Sequence, residues 1–397
     1  YLKYGDSVTQ YLRGMYAIAL YHHDTKEIKL FRDPFGKKPL YCAYEGESFY
    51  FASELKAILP LLKDPKEHPD FIHRYLSFGS AIAPESCYEG IYQLPAGHKL
   101  VTAPEIVVSA FYDILHTTHR LDEQEHAMQK IENSLCESVS YRLVSDVKIG
   151  ALLSGGVDSS LVCAMAKEKL GVLDTFCIGY EGYEKYDERP YARSVAIHIG
   201  ANHNEFEMRK EDFFTTMESL IESMDMPLAD PAIVPLCFMS EKIRELGFKV
   251  LLTGDGADEL FFGYSKYAEV MDVEQLEIKR FAGFLKKQML KNYVPTKEWA
   301  WHKRLFEGST IYRSMAELYT DSQQNSTLKK KVVDNFSMSA LTPFRAHFDQ
   351  SGFSHPANWY SYIDLKVMMG EVYLTKLDRM TMLNGIEARS PFLDTQV

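Results

Sequence analysis

The apolar run Val147-Lys148-Ile149-Gly150-Ala151-Leu152-Leu153 stops abruptly at Ser154-Gly155-Gly156-Val157-Asp158-Ser159-Ser160. Such a run reads as a buried strand, and a glycine pair followed by helical text over residues 159–170 reads as a sharp turn from strand into helix. The alternation then repeats. Residues 175–178, 203–208 and 249–253 have the texture of short strands. Between them, the period marked by Tyr191, Val195 and Ile199 and the stretches 212–224 and 233–246 are helical. Strands separated by helices of this length need right-handed crossovers, and so a parallel sheet covered on both faces. From Leu121 onward Met128, Ile131, Leu135 and Val139 mark one helical face ahead of the first strand, and beyond Tyr264 the period is helical almost to the end.

The first 58 residues differ. Strand-like segments at 15–21, 27–31, 39–41 and 49–51, broken by Asp, Gly and Lys turns, describe a β-rich module. Residues 60–119, with Pro65, Pro69, Pro84, Pro95 and Pro104, read as an irregular join. Two domains suit a chain of 397 residues. A net charge of -11 argues against a nucleic acid or an anionic membrane as partner. No apolar stretch approaches the roughly 18 residues of a membrane helix. Cys42, Cys87, Cys136, Cys163, Cys177 and Cys237 lie far apart, without a CxxC pair or zinc-ligand spacing. They read as reduced thiols in a reducing, cytoplasmic setting. No internal repeat is found.

Two segments carry chemistry. In the first, Ser154 to Ser160, two glycines let successive N–H groups point into one concavity, and the helix start adds favourable potential for an anion. It lacks the Gly-Lys-Ser/Thr of the Walker loop and resembles the pyrophosphate loop of ATP pyrophosphatases. Asp158 suits a magnesium ion beside phosphates; a plain glycine turn with Asp158 or Ser159 as helix cap is the other reading. The second, Thr253-Gly254-Asp255-Gly256-Ala257-Asp258-Glu259, again follows a strand. Its three carboxylates repel one another unless a cation or a positively charged substrate group sits among them; otherwise it is a solvated acidic loop. In open parallel sheets ligands collect beyond the carboxyl ends of the strands, so both loops are expected to face one crevice. Phe176-Cys177-Ile178-Gly179-Tyr180 offers backbone to an adenine ring with Ile178 as an apolar wall, or is simply a core strand. Lys376 to Arg379 and Glu387 to Asp394 set ions among apolar residues. They could hold a carboxylate or pyrophosphate, but an internal salt-bridge network is the preferred reading.

Taken with Arg32-Asp33-Pro34-Phe35-Gly36, Pro39-Leu40-Tyr41 and Phe51-Ala52-Ser53-Glu54-Leu55-Lys56, these segments resemble the asparagine synthetase family over nearly the whole chain. The resemblance implies an α/β protein. Residues 1–110 would be the C-terminal part of a class II glutamine amidotransferase domain, an N-terminal-nucleophile β-sandwich, plus a connecting segment. Residues 120–397 would be a doubly wound parallel-sheet ATP pyrophosphatase domain with a helical C-terminal part, truncated at its end. It further implies that Leu153, Ser154, Gly155, Gly156, Asp158, Ser159, Ser160, Ile178, Thr253 and Gly254 bind ATP and that Asp158 and Asp258 bind Mg2+. Asp255 and Glu259 would be catalytic, Asp255 standing where many members have glutamate. The family's catalytic N-terminal cysteine, its glutamine-holding segments and a lysine beyond Asp394 are not matched. Tyr1 carries no thiol, so residues 1–397 are not expected to hydrolyse glutamine.

The implied reaction activates the aspartate side chain as an acyl-adenylate and passes ammonia to it, from glutamine in the complete enzyme, with asparagine, AMP and pyrophosphate as products. Oligomeric state is left open, a homodimer being one option. Rival readings are the same adenylation on a sugar acid or in β-lactam closure, a tRNA-modifying ATP pyrophosphatase, which the missing cysteine motifs and the acidic charge oppose, and a non-catalytic nucleotide-binding module.

Overall fold

The structure, a computed structural model, describes residues 1–103, 105–117, 124–275, 294, 296–333 and 335–397. The expected start of a helical period at Leu121, the boundary near residue 120, and part of the helical C-terminal text lie outside the described residues.

Seven short strands build the N-terminal module: β1 (Ala17–His22), β2 (Glu27–Arg32), β3 (Tyr41–Glu45), β4 (Ser48–Ala52), β5 (Ile91–Gln93), β6 (His98–Val101) and β7 (Val107–Ala110). They form two antiparallel sheets, in the orders β1-β2-β6-β7 and β4-β3-β5. Leu30 from β2, Cys42 from β3 and Leu100 from β6 meet in one buried cluster with Leu40 and Leu94, which makes the module a sandwich. Two expectations are corrected. The strand begins at Tyr41, since Pro39 has no N–H to give a ladder. Residues 60–119 are not an irregular join: they supply β5 to β7 and the helix Phe71–Phe78. Strands of three and four residues between prolines are too short to show a period.

The second region is a five-stranded parallel sheet. β8 (Ile149–Leu152), β9 (Asp174–Tyr180), β10 (Asn202–Met208), β11 (Val250–Leu252) and β12 (Glu387–Arg389) lie in the order β10-β9-β8-β11-β12. Successive residues of each strand point to opposite faces, and each face has its own cover. On one, Ala151 and Leu252 pack with Leu135, Val139, Val162, Cys163, Ala192 and Ala196 from the helices Gln124–Arg142, Val157–Leu170 and Arg189–Ile199. On the other, Phe176 and Leu251 pack with Met239 and Ile243 of the helix Ile233–Glu245. The sheet is therefore doubly wound, as expected. Of the residues expected to mark the helix Arg189–Ile199, Val195 and Ile199 pack on this first cluster beside the buried Ala192 and Ala196, whereas Tyr191 is 70% exposed; Met128 of the helix Gln124–Arg142 is exposed as well. Small residues let the helix Arg189–Ile199 sit close against the sheet, and Tyr191 turns outward.

The chain runs from β8 outward through β9 to β10 and then returns to the opposite side of β8 as β11. The crevice between the carboxyl ends of β8 and β11 is thus the topological switch point. The remaining described residues are mostly helical, wrapped around an aromatic core of Tyr267, Trp301, Tyr312, Phe348, Trp359 and Tyr360. One stretch, Asp364–Tyr373, is wound as a π-helix. Among the described residues no helix is long and apolar enough to cross a membrane.

Candidate active site

The glycine loop leaves β8 through Leu153, whose N–H donates to Phe176 O at 2.9 Å and prolongs the sheet by one bond. Ser154 N then donates to Ser159 Oγ at 3.2 Å, Gly156 N donates to Ser154 Oγ at 3.2 Å, and Ser159 Oγ donates to Gly156 O at 3.3 Å. These bonds fold the loop onto the first turn of the helix Val157–Leu170. Gly155 has φ +85, and a Cβ there would lie 2.6 Å from the backbone of Tyr191 and Ala192, so no other residue fits. The helix cap is Gly156, with no side-chain capping bond. The alternative in which Asp158 or Ser159 serves as the cap is therefore not what the loop does. The 14-residue helix presents its amino end to the crevice, where unpaired N–H groups favour an anion.

The acidic loop leaves β11 through Thr253 and enters the short helix Ala257–Phe261, which carries Asp258 and Glu259 in its first turn. The two loops touch. A Cβ on Gly254 would stand 2.8 Å from Ser159 N and 3.1 Å from Asp158 C, so glycine is what permits the approach. Asp158 and Asp258 are both half-buried, and burial holds each carboxyl above its ordinary range; the charge of Asp258 pushes Asp158 up further. Glu259 is 1% exposed. Burial pushes its carboxyl up to about 7, against a hydrogen bond from Tyr264 Oη to Oε1 at 2.6 Å that favours the charged form.

Between the loops lies a cleft of ≈ 280 Å³. Ser154, Gly156, Asp158 and Ser159 line one side, and Thr253, Gly254, Asp255, Gly256, Asp258 and Glu259 the other. Tyr264, Met369 and Tyr373 also line it. Four residues expected to contact nucleotide do not line this cleft. Leu153 is buried in the sheet core, Gly155 packs against the neighbouring helix, Ser160 continues the helix through its N–H to Gly156 O, and Ile178 packs with Phe206 and Leu236.

Sequence reasoning missed the aromatic wall. Tyr264 had a local signal, the run Phe261-Phe262-Gly263-Tyr264 directly after the acidic loop. Met369 and Tyr373 had none, because a π-helical stretch more than a hundred residues away delivers them. The C-terminal ions pair internally, as the preferred reading held. Lys376 meets Asp230 at 2.8 Å, Arg379 meets Asp225 at 2.5 Å, Lys38 meets Asp378 at 2.5 Å and Arg142 meets Asp394 at 2.7 Å.

The family model described as asparagine synthase matches residues 130–397, and that of the glutamine amidotransferase domain matches residues 1–112. The chain is 30% identical over 404 residues to asparagine synthetase (glutamine-hydrolyzing) 1 of Bacillus subtilis, a match covering 100% of this chain and 63% of the relative. It is 31% identical over 411 residues to a putative asparagine synthetase (glutamine-hydrolyzing) of Mycobacterium tuberculosis, covering 100% of this chain and 62% of the relative. A more distant relative is amidase chry2 of Gibberella zeae, 24% identical over 435 residues, with 99% of this chain and 63% of the relative covered. The chain thus spans a little under two thirds of the length of these curated relatives. With matches along its whole length, this chain belongs to the asparagine synthase family.

Proposed function

We propose that the chain carries out the ATP-dependent amidation of aspartate: its side-chain carboxylate is activated as an acyl-adenylate and then receives ammonia, giving asparagine, AMP and pyrophosphate. One observation carries this reading. The glycine loop and the acidic loop leave neighbouring parallel strands at the switch point of the sheet and share one cleft, in a member of the asparagine synthase family.

The chemistry needs both halves of that cleft. A carboxylate is a poor acceptor for ammonia because oxide is a poor leaving group. Attack of its oxygen on the α-phosphorus of ATP forms one P–O bond and breaks another, releasing pyrophosphate. Ammonia then attacks the acyl carbon, and AMP leaves with the electrons of the C–O bond. The N–H groups of the glycine loop and the helix start would receive the charge that builds on pyrophosphate. Asp255 and Glu259 are assigned to orienting the acceptor and taking the proton that nitrogen loses. In the complete enzyme the ammonia would come from glutamine, a role for which the N-terminal module's match to the glutamine amidotransferase domain is the support.

Magnesium fits Asp158 and Asp258, two facing carboxylates whose mutual repulsion a hard cation relieves. Among the described residues no group of three or more ligating side chains occurs. Two carboxylates leave the remaining positions to phosphate oxygens and water, which is how magnesium is held beside nucleotides. When bound, the ion would neutralise charge on the leaving pyrophosphate.

The test is to incubate the chain with MgATP, ammonium chloride and a panel of aspartate, glutamate and sugar acids. AMP formation that requires aspartate and yields asparagine is expected. AMP with a sugar acid while aspartate is ignored would replace the acceptor, and AMP with none of them would end the proposal.

A further inference from the structure

Lys37 belongs to the N-terminal module but spends its hydrogen bonds elsewhere. It is 3% exposed, and its Nζ donates to Leu393 O at 2.7 Å and Ser390 O at 3.3 Å, carbonyls of the segment that follows β12. The nearby carboxylate of Asp33 does not neutralise it directly: that group accepts from the backbone N–H of Phe35, Lys37 and Lys38. A buried cation whose hydrogen bonds go to two main-chain carbonyls, with the Phe35 ring 5.8 Å away and its carboxylates acting only at a distance, is costly to keep unless those carbonyls must be fixed.

What they fix is the wall behind the acidic loop. Ser390 Oγ and Thr253 Oγ1 are hydrogen-bonded at 3.0 Å, and Thr253 N donates to Arg389 O at 2.9 Å. Leu393 lies against Gly256, its Cδ2 2.5 Å from where a Cβ would stand. Thr253 and Gly256 both line the cleft. The module grips the same segment a second time through Arg13, which meets Asp394 at 3.0 Å. Arg142, at the end of the helix Gln124–Arg142, donates to the same two carbonyls, Nε to Ser390 O and Nη2 to Leu393 O, each at 3.2 Å. The segment is therefore held jointly by that helix and the N-terminal module, and braces the cleft on its other side.

We propose that Lys37 is a positioning residue that makes the nucleotide cleft depend on docking of the N-terminal module, acting through Ser390 and Leu393 on Thr253 and Gly256. This rests on the reading that the cleft binds MgATP. Coupling of this kind is reciprocal: what the docked module adds to nucleotide affinity, bound nucleotide returns to the docking of the module.

The experiment is calorimetric titration of the chain with α,β-methylene ATP and magnesium, using wild type, Lys37→Met, Ser390→Ala and a surface control, Lys66→Met. Affinity is expected to fall about fivefold or more in Lys37→Met and about twofold to fivefold in Ser390→Ala, with the control unchanged. Nucleotide should also slow amide exchange in residues 33–40 of the wild type and do so much less in Lys37→Met, a dependence that a merely structural lysine would not produce. A folded Lys37→Met protein that binds as the wild type overturns the inference. Should that variant fail to fold, unchanged affinity in Ser390→Ala overturns it instead. A wild type that binds no nucleotide removes the reading of the cleft itself and this inference with it, which separates the two failures.

Discussion

The glycine loop and the acidic loop begin alike and end as opposites. Each leaves the carboxyl end of a buried parallel strand, and each turns on glycine into the start of a helix. The first opens a helix of 14 residues whose amino end is uncapped by any side chain, an array of N–H groups suited to phosphate. The second opens a helix of five residues loaded with Asp258 and Glu259, too short for a strong dipole and rich in charge of the other sign. Set side by side they define a cleft with one flank suited to an anion and one suited to a cation, as the proposed nucleotide with its magnesium would require.

The hardest blow to this division is loss of a carboxylate from the acidic flank. Asp258→Asn is expected to reduce AMP formation by about a thousandfold, a loss of about 4 kcal/mol of transition-state stabilisation, with the fold intact. Its melting temperature should stay at or above the wild-type value, because the substitution relieves repulsion with Asp158. A rapid stopped assay for AMP, paired with thermal melting, decides; near-normal turnover would mean that the flank holds no cation.

Closing the contact between the flanks comes next. Gly254→Ala places a methyl group 2.8 Å from Ser159 N and must push the loops apart. About 1–3 kcal/mol of stability should be lost by urea unfolding, with weaker nucleotide binding alongside. Unchanged stability would show that the loops are not in register.

The acidic flank leans on the N-terminal module through the segment after β12, and pH can expose that dependence. Burial brings the Lys37 ammonium down to about 7, with Arg142 pushing the same way and Asp33, Asp394 and Asp255 opposing. The unfolded chain therefore holds this proton more firmly between about 7 and the ordinary lysine range. Through this group stability should rise with pH across that window, by at most about 1.4 kcal/mol per pH unit. Urea unfolding of wild type and Lys37→Met at pH 7 and pH 9 should show the wild type gaining on the variant; a constant difference would place the lysine in water.

The smallest expected effect belongs to Tyr264→Phe. It removes the hydrogen bond to Glu259 Oε1 and should cost about 1 kcal/mol in stability or in the activation barrier. An effect confined to stability would mean that Glu259 is a structural acid and not part of the chemistry.

Much of the parallel-sheet region was legible because its signals are local. β8 is an apolar run, the glycine pair follows it directly, and Asp255, Asp258 and Glu259 stand within five residues of one another. The crossover rule then places both loops at one end of the sheet without any knowledge of side-chain packing. The N-terminal module was half legible. Its longer strands β1, β2 and β4 were legible, whereas β5 to β7 are three or four residues each, and β5 and β6 are held by ladder partners in β3 and β2, far away in sequence.

The sequence by itself determined the class of the fold, the pairing of a phosphate-favouring turn with an acidic one, and the strands on which both sit. Periodicity and turn chemistry depend on neighbours in the chain. Only the tertiary structure decided the rest. It brought Met369 and Tyr373 to the cleft from a π-helical stretch, added β12 as a strand of charged text, and paired Lys376 with Asp230, Arg379 with Asp225 and Arg142 with Asp394. It also sent Lys37 across the domain junction to carbonyls more than 350 residues away. Such contacts are set by how whole layers pack, and the residues that make them carry no pattern that a window of the chain could reveal.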